Sequence, residues 1–154
     1  GPVWPQGVVG SMTHCDGFRA AAVGRDDSWL TIGIDAEPNA PLHSGVLQQV
    51  ASRREAQMVA ILHEEHASLA WDRLLFSAKE AIFKAWSPLT GKWLGFEEAS
   101  VQFEVFSSTF RASLAQDRAL DCPALANLTG RWFLESGYLF TAVMISARPQ
   151  HHDR

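Results

Sequence analysis

Asp35 and Glu37 stand two residues apart in Trp29-Leu-Thr-Ile-Gly-Ile-Asp-Ala-Glu-Pro38. The alternation predicts a strand over Trp29–Ile34 that runs on into the two acids and stops at Pro38. Residues two apart on a strand share a face, so both carboxylates converge on one spot. Like charges held together are unfavourable unless a cation or a proton sits between them. A third acid, Glu80, lies in a segment of helical period. On a helical wheel it clusters with Arg73, Ser77 and Lys84 opposite the centre of the apolar stripe. Phe76, Phe83 and Trp86 surround these charges, which argues that much of the helix is covered, and buried charges need partners or a metal. Asp35, Glu37 and Glu80 together suit a hard dication that keeps some water and takes oxygen ligands, as one serving a phosphate substrate does. Lys84, one turn from Glu80, would reach the same phosphates as a point charge. Gly10-Ser-Met-Thr-His14-Cys adds small residues that let a ligand approach the backbone, with Thr13 and His14 as polar tips at a strand end.

Each piece also has an ordinary reading. Strand ends collect acidic residues, and Glu80–Lys84 is an i, i+4 pair worth about 0.2–0.5 kcal/mol on a solvated face. A lone histidine at a strand end is more often structural. What favours the chemical reading is that the pieces occur together and in one order.

The elements that must position these residues are legible in outline. Two strands, Val9–His14 and Phe18–Val23, flank the turn pair Asp16-Gly17. Asn39 to Gly45 reads as a loop. Ser52 with Glu55 three residues on makes a capping box, and the helix it starts covers Arg53 to about Leu62. His63-Glu-Glu-His66 has two histidines three apart, but without a third ligand nearby it reads as polar surface rather than zinc. Leu69 to Trp86 is the clearest helix: Trp71, Leu74, Leu75, Ala78, Ile82 and Ala85 form one apolar stripe, ended by Pro88 and Gly91. Strands are predicted over Ser100–Phe106, Phe110–Leu114, Gly130–Glu135 and Leu139–Ser146, with Gln116–Asn127 an irregular connection. The class is α+β, antiparallel strands with two helices packed on them.

Composition narrows the functions. The chain has 154 residues, 47% hydrophobic, and a formal net charge of -4, enough for a real core and a poor match to non-specific nucleic-acid binding. No apolar run is long enough to span a membrane, and no secretion leader is visible. Cys15 and Cys122 lie far apart and read as a reduced cytoplasmic pair. The tail from Arg148 carries His151 and His152, expected to fray rather than bind metal. Gly1-Pro2 is either native or the scar of a cleaved tag.

Four segments resemble the Sfp-type phosphopantetheinyl transferases, in the branch of the enterobactin-synthase and actinobacterial enzymes. They are residues 2–15, Ile32-Gly-Ile-Asp-Ala-Glu37, Phe76-Ser-Ala-Lys-Glu-Ala-Ile-Phe-Lys-Ala-Trp86 and Trp93-Leu-Gly-Phe96, in the family's order. The resemblance spans about residues 2 to 147 and implies transfer of the phosphopantetheine arm of coenzyme A to a serine of an apo acyl or peptidyl carrier protein. It implies Asp35, Glu37 and Glu80 as magnesium ligands, with manganese a substitute, and Asp35, Lys79 and Lys84 beside the substrate. Lys84 is the better candidate of the two lysines for a direct phosphate contact. Thr13 and His14 match the pair at the nucleotide end of coenzyme A. Glu80 is the expected general base and Lys84 the expected stabiliser of anionic oxygen.

The resemblance also implies a two-lobed, pseudo-symmetric α+β fold. Residues 1–29 would be the end of a first lobe that is mostly absent, 32–147 the metal-binding lobe and 148–154 a flexible tail. Carrier docking is expected around Leu42 to Ala51. Competing expectations are an inactive binding or assembly module, and a magnesium-dependent nuclease, against which the acidic balance counts.

Overall fold

Asp16-Gly17 reverses the chain between β1 (Val8–Cys15) and β2 (Phe18–Arg25). Gly17 takes φ +80° there, a left-handed value that glycine adopts without penalty. The computed structural model describes residues 1–147, so the expectations for His151, His152 and the tail fall outside them. β3 (Trp29–Pro38) carries the third predicted strand on through both acids. It edges a five-stranded antiparallel sheet of order β3-β7-β6-β5-β4, in which β4 is Ala99–Glu104, β5 Thr109–Leu114, β6 Asn127–Glu135 and β7 Tyr138–Ser146. The hairpin β1-β2 forms a separate two-stranded sheet. The expected α+β class is what the chain adopts.

Helices α1 (Val46–Val50), α2 (Arg53–Glu65), α3 (Trp71–Thr90) and α4 (Gln116–Asp121) complete the fold, where two were expected. The segment expected to be irregular therefore holds α4 and a 3-10 turn, Pro123–Leu125, before β6 begins at Asn127. α3 does not stop at Pro88. A proline near a helix end forfeits one backbone bond without breaking the turns before it, and α3 continues to Thr90. Gly91 then caps it at φ +65°, its N–H bonded to the Ser87 carbonyl. β4 ends before Phe106, because the turn after it places Ser108 at φ +53°.

The predicted apolar stripe is the core. Trp71, Leu74, Leu75, Ala78, Ile82 and Ala85 are all fully buried, each large aliphatic contributing about 1.5–3 kcal/mol by leaving water. α3 lies across β3 and β7. At Gly33 strand and helix come closest: a Cβ there would overlap the Ala81 carbonyl oxygen. Thr31 Oγ1 donates to the Ala85 carbonyl at 2.8 Å, so Thr31, Gly33, Asp35 and Glu37, alternate residues of one strand, share the face turned toward α3.

The hairpin joins the sheet by side chains. Ser11 Oγ accepts from the Ile34 N–H and Thr13 Oγ1 from the Ala36 N–H, both at 3.0 Å. At the hairpin's turn, the Tyr138 hydroxyl donates to the Asp16 carbonyl at 2.9 Å, and Phe18 packs on Tyr138 and Phe140 at 5.4 and 5.0 Å between ring centroids.

Candidate functional site

Strand period and helix period meet where β3 passes under α3. Asp35, 6% exposed, receives the Lys84 ammonium on Oδ1 at 3.1 Å, and the same ammonium donates to the Ile34 carbonyl at 2.9 Å. Glu37 Oε1 lies 3.4 Å from Arg73 Nη1. Arg73 goes on to donate to the carbonyls of Ala40 and Pro41, both at 3.0 Å, fastening the loop after β3 to α3. Glu80, half-buried between them on the helix, takes no hydrogen bond or ion pair among the described residues.

The electrostatics are those of three acids crowded together. Burial pushes Glu37 up to about 7, with Asp35 and Glu80 adding to the rise and Arg73 opposing it. Burial raises Glu80, and Asp35 raises it further against Lys84. Burial also raises Asp35, while Lys84, Ser77 and Thr13 pull it back. The second oxygen of Asp35, Oδ2, is buried without a hydrogen-bond partner among the described residues, and such a group costs about 1–3 kcal/mol, more when charged. A hard dication would relieve both defects, since it needs anionic oxygen and lowers the pKa of what it binds. The donor chemistry of Asp35, Glu37 and Glu80 fits one. Among the described residues, however, no group of three His, Cys, Asp or Glu is already gathered for a metal; Lys84 and Arg73 hold one oxygen each of the first two acids.

The hairpin divides Thr13 from His14. Thr13 is buried with its hydroxyl on β3, while His14 is exposed on the opposite face. His14 lines a shallow open pocket with Met12, Thr13, Arg19, Ala20 and Ala21. Arg19 sits directly across the hairpin from His14, a second basic group on that face that the reading of the sequence overlooked. The signal was present: a two-residue turn at Asp16-Gly17 fixes the register that makes 14 and 19 partners.

Lys79 lies among α1, α2 and the segment before β4. Its side chain is 2% exposed, and the ammonium donates at 2.8 Å to each of three acceptors, Glu55 Oε1, the Val50 carbonyl and the Phe96 carbonyl. A lysine has three protons, and all three are taken. Burial lowers its pKa and Glu55 raises it. Lys79 also lines a narrow cleft with Glu80, Phe83, Trp93, Leu94, Gly95, Phe96 and Ala99.

The model of the 4'-phosphopantetheinyl transferase superfamily matches residues 31–132, β3 through the middle of β6, and that of the 4'-phosphopantetheinyl transferase N-terminal domain matches residues 1–24. The chain belongs to the 4'-phosphopantetheinyl transferase superfamily. Similar proteins include 4'-phosphopantetheinyl transferase PptT of Mycobacterium tuberculosis, 44% identical over 149 residues, which covers 94% of this chain and 65% of that one. Svp of Streptomyces mobaraensis is 47% identical over 147 residues, covering 95% and 60%. Npt of Nocardia iowensis is 46% identical over 152 residues, covering 92% and 67%. The chain thus spans about two thirds or less of the length of these transferases, and the site described above lies within the part it shares with them. No helix among the described residues is long and apolar enough to cross a membrane.

Proposed function

We propose that this chain carries the metal-binding half of a phosphopantetheinyl transferase site, which moves the 4'-phosphopantetheine arm of coenzyme A onto a carrier-protein serine and releases 3',5'-ADP. The observation that carries this reading is that Asp35, whose buried Oδ2 has no hydrogen-bond partner among the described residues, raises both Glu37 and Glu80, in a chain whose transferase relatives share the segment. Asp35, Glu37 and Glu80 would hold Mg2+, with Mn2+ as a substitute. When bound, the dication supplies positive charge for the pyrophosphate as the bond to the leaving 3',5'-ADP lengthens.

The chain's own residues do the rest. Glu80, half-buried and raised, is poised to take the proton of the serine hydroxyl as its oxygen attacks the phosphorus bearing the arm. Lys84 stands beside Asp35 with its side chain 27% exposed, a point charge able to turn from the acid to a phosphate oxygen. His14, with Arg19 opposite it, presents basic groups to the nucleotide end. Thr13 serves by fixing the hairpin to β3. The carrier protein docks on the loop 39–45 and α1, where His43, Ser44, Gln48 and Gln49 are exposed. No nucleic acid or membrane takes part. Cys15 and Cys122 are free thiols, as a cytoplasmic enzyme would keep them.

Intact-mass spectrometry tests this. The 154-residue chain, Mg2+, coenzyme A and an apo carrier protein should give a carrier heavier by one phosphopantetheine arm, and chelation should abolish the gain. A carrier that stays apo in the presence of Mg2+ would overturn the reading for this chain.

A further inference from the structure

Glu55 of α2 and Lys79 of α3 form a second acid–base unit, finished to the last proton. Glu55 is 3% exposed and uses both oxygens. Oε1 accepts from the Ser52 N–H at 2.9 Å and from Lys79 Nζ at 2.8 Å, and Oε2 from the Val101 N–H at 2.8 Å. Lys79 passes its other two protons to the Val50 and Phe96 carbonyls. One ion pair therefore ties the start of α2, the end of α1, strand β4 and the segment before β4 to the helical residue next to Glu80. That segment is a wall of the cleft beside Glu80, where Trp93 packs on Phe83 at 5.1 Å and Phe96 on Phe76 at 5.9 Å between ring centroids.

From this we infer that Lys79 is a positioning residue and not a phosphate ligand: the Glu55–Lys79 pair sets the Trp93–Phe96 wall against Glu80 and so shapes the space open to the part of the substrate beyond its phosphates. The inference rests on the transferase reading for the identity of that substrate, but the state of the pair can be tested without it. A lysine that holds phosphate has donors to spare in the free protein. This one has none, and turning it to a ligand would strand the Glu55 carboxylate, two carbonyls and a buried charge together. Lys84, on the next turn of the same helix, is the opposite case, since it is over a quarter exposed and bound to Asp35 of the site and the Ile34 carbonyl.

Two measurements decide the matter. The first is acetylation footprinting of the wild-type chain by peptide mass spectrometry, with and without coenzyme A. Lys79 should resist the reagent in both states, and Lys84 should react and then be protected by coenzyme A. Reaction of Lys79 in the free protein would overturn the inference, whether or not the ligand protects it. An unreactive Lys79 beside a Lys84 indifferent to coenzyme A would leave the pair as described and count instead against the transferase reading.

The second measurement compares ligands by calorimetry on Glu55→Gln and on the double variant Glu55→Gln/Lys79→Met. The double variant removes both buried charges and so keeps the fold available to test. Affinity for coenzyme A should fall about tenfold, in the range seen when groups supporting a site are removed. Affinity for 3',5'-ADP, which lacks the arm, should stay within about twofold, as expected when only the support for the distant wall is lost. An equal loss for both ligands would show Lys79 acting on the phosphates and would overturn the inference. An unchanged affinity for both would show that the pair positions nothing the substrate meets, and would overturn it as well.

Discussion

Lys79 and Lys84 lie on the same helix and each is paired with an acid, yet their surroundings differ in kind. Around Lys79 every donor has an acceptor, and Glu55 spends both oxygens on three partners. Around Lys84 burial raises three carboxylates and Asp35 raises the other two further, while among the described residues one buried oxygen lacks a partner and Glu80 takes no hydrogen bond. The first arrangement is complete as it stands and holds the fold. The second is incomplete in a direction, short of positive charge, and that shortage is why the proposed function puts the chemistry there. Buried charge alone would not have separated the two; counting partners does.

The contrast is most sharply broken by exchanging the roles of neighbours. Glu80→Gln should cut phosphopantetheine transfer by about 10²–10⁴-fold, the scale of a lost general base, while the thermal midpoint holds or rises because one of three repelling acids is gone. Mass spectrometry and a melt on the same sample check both halves, and a variant that transfers normally removes Glu80 from the mechanism. Lys79→Met should do the reverse through stability: a buried carboxylate left alone costs about 3–5 kcal/mol, read as a lower urea midpoint. Gly33→Ala acts on both sides of α3 at once. Its methyl meets the Ala81 carbonyl, so a loss of about 1–3 kcal/mol from overpacking is expected, together with weaker transfer as β3 is pushed from the helix.

A smaller effect sharpens the comparison through pH. Glu37 titrates near 7 in the fold, above its ordinary value, so the folded chain holds a proton there that the unfolded chain has released. The stability from this group is fully present below the unfolded pKa and lost as pH rises from the ordinary glutamate range through 7. In chelator the melting temperature should therefore fall across that window, and Glu37→Gln should flatten the fall. Excess Mg2+ should oppose it, since a cation favours the ionised form. A wild-type profile that Glu37→Gln leaves unaltered would place the titration elsewhere.

The acidic half of the site was legible because it obeys period. Asp35 and Glu37 share a face by the strand repeat of two, Glu80 and Lys84 follow from the helical repeat, and the stripe from Trp71 to Ala85 announced which side of α3 would be buried. The Glu55–Lys79 pair was not legible. Glu55 already had a local role in the capping box with Ser52, which it keeps, and nothing in spacing reveals that the same carboxylate also meets a lysine 24 residues away. The resemblance implies Lys79 beside the substrate with Lys84, since both belong to one motif. Along a helix, though, adjacent and near-adjacent residues point in different directions, and Lys79 follows its own direction to α2. Thr13 illustrates the same limit, since a hydroxyl that accepts from a strand 23 residues on looks, in sequence, like one waiting for a ligand. The short helices α1 and α4 escaped because five or six residues are too few to display a period.

The hydroxyls of Ser11 and Thr13 have a bearing on how the chain behaves in a crowded solution. The outer side of β3 would otherwise present the Ile34 and Ala36 amides to any passing extended segment, the template on which aggregation and strand exchange begin. At the far side of the sheet the Glu55 carboxylate occupies the Val101 amide of β4 in the same manner. Two amides of one margin and one of the other are thus taken by side chains, and with β1 lying along β3 less of either edge is left for cross-β pairing.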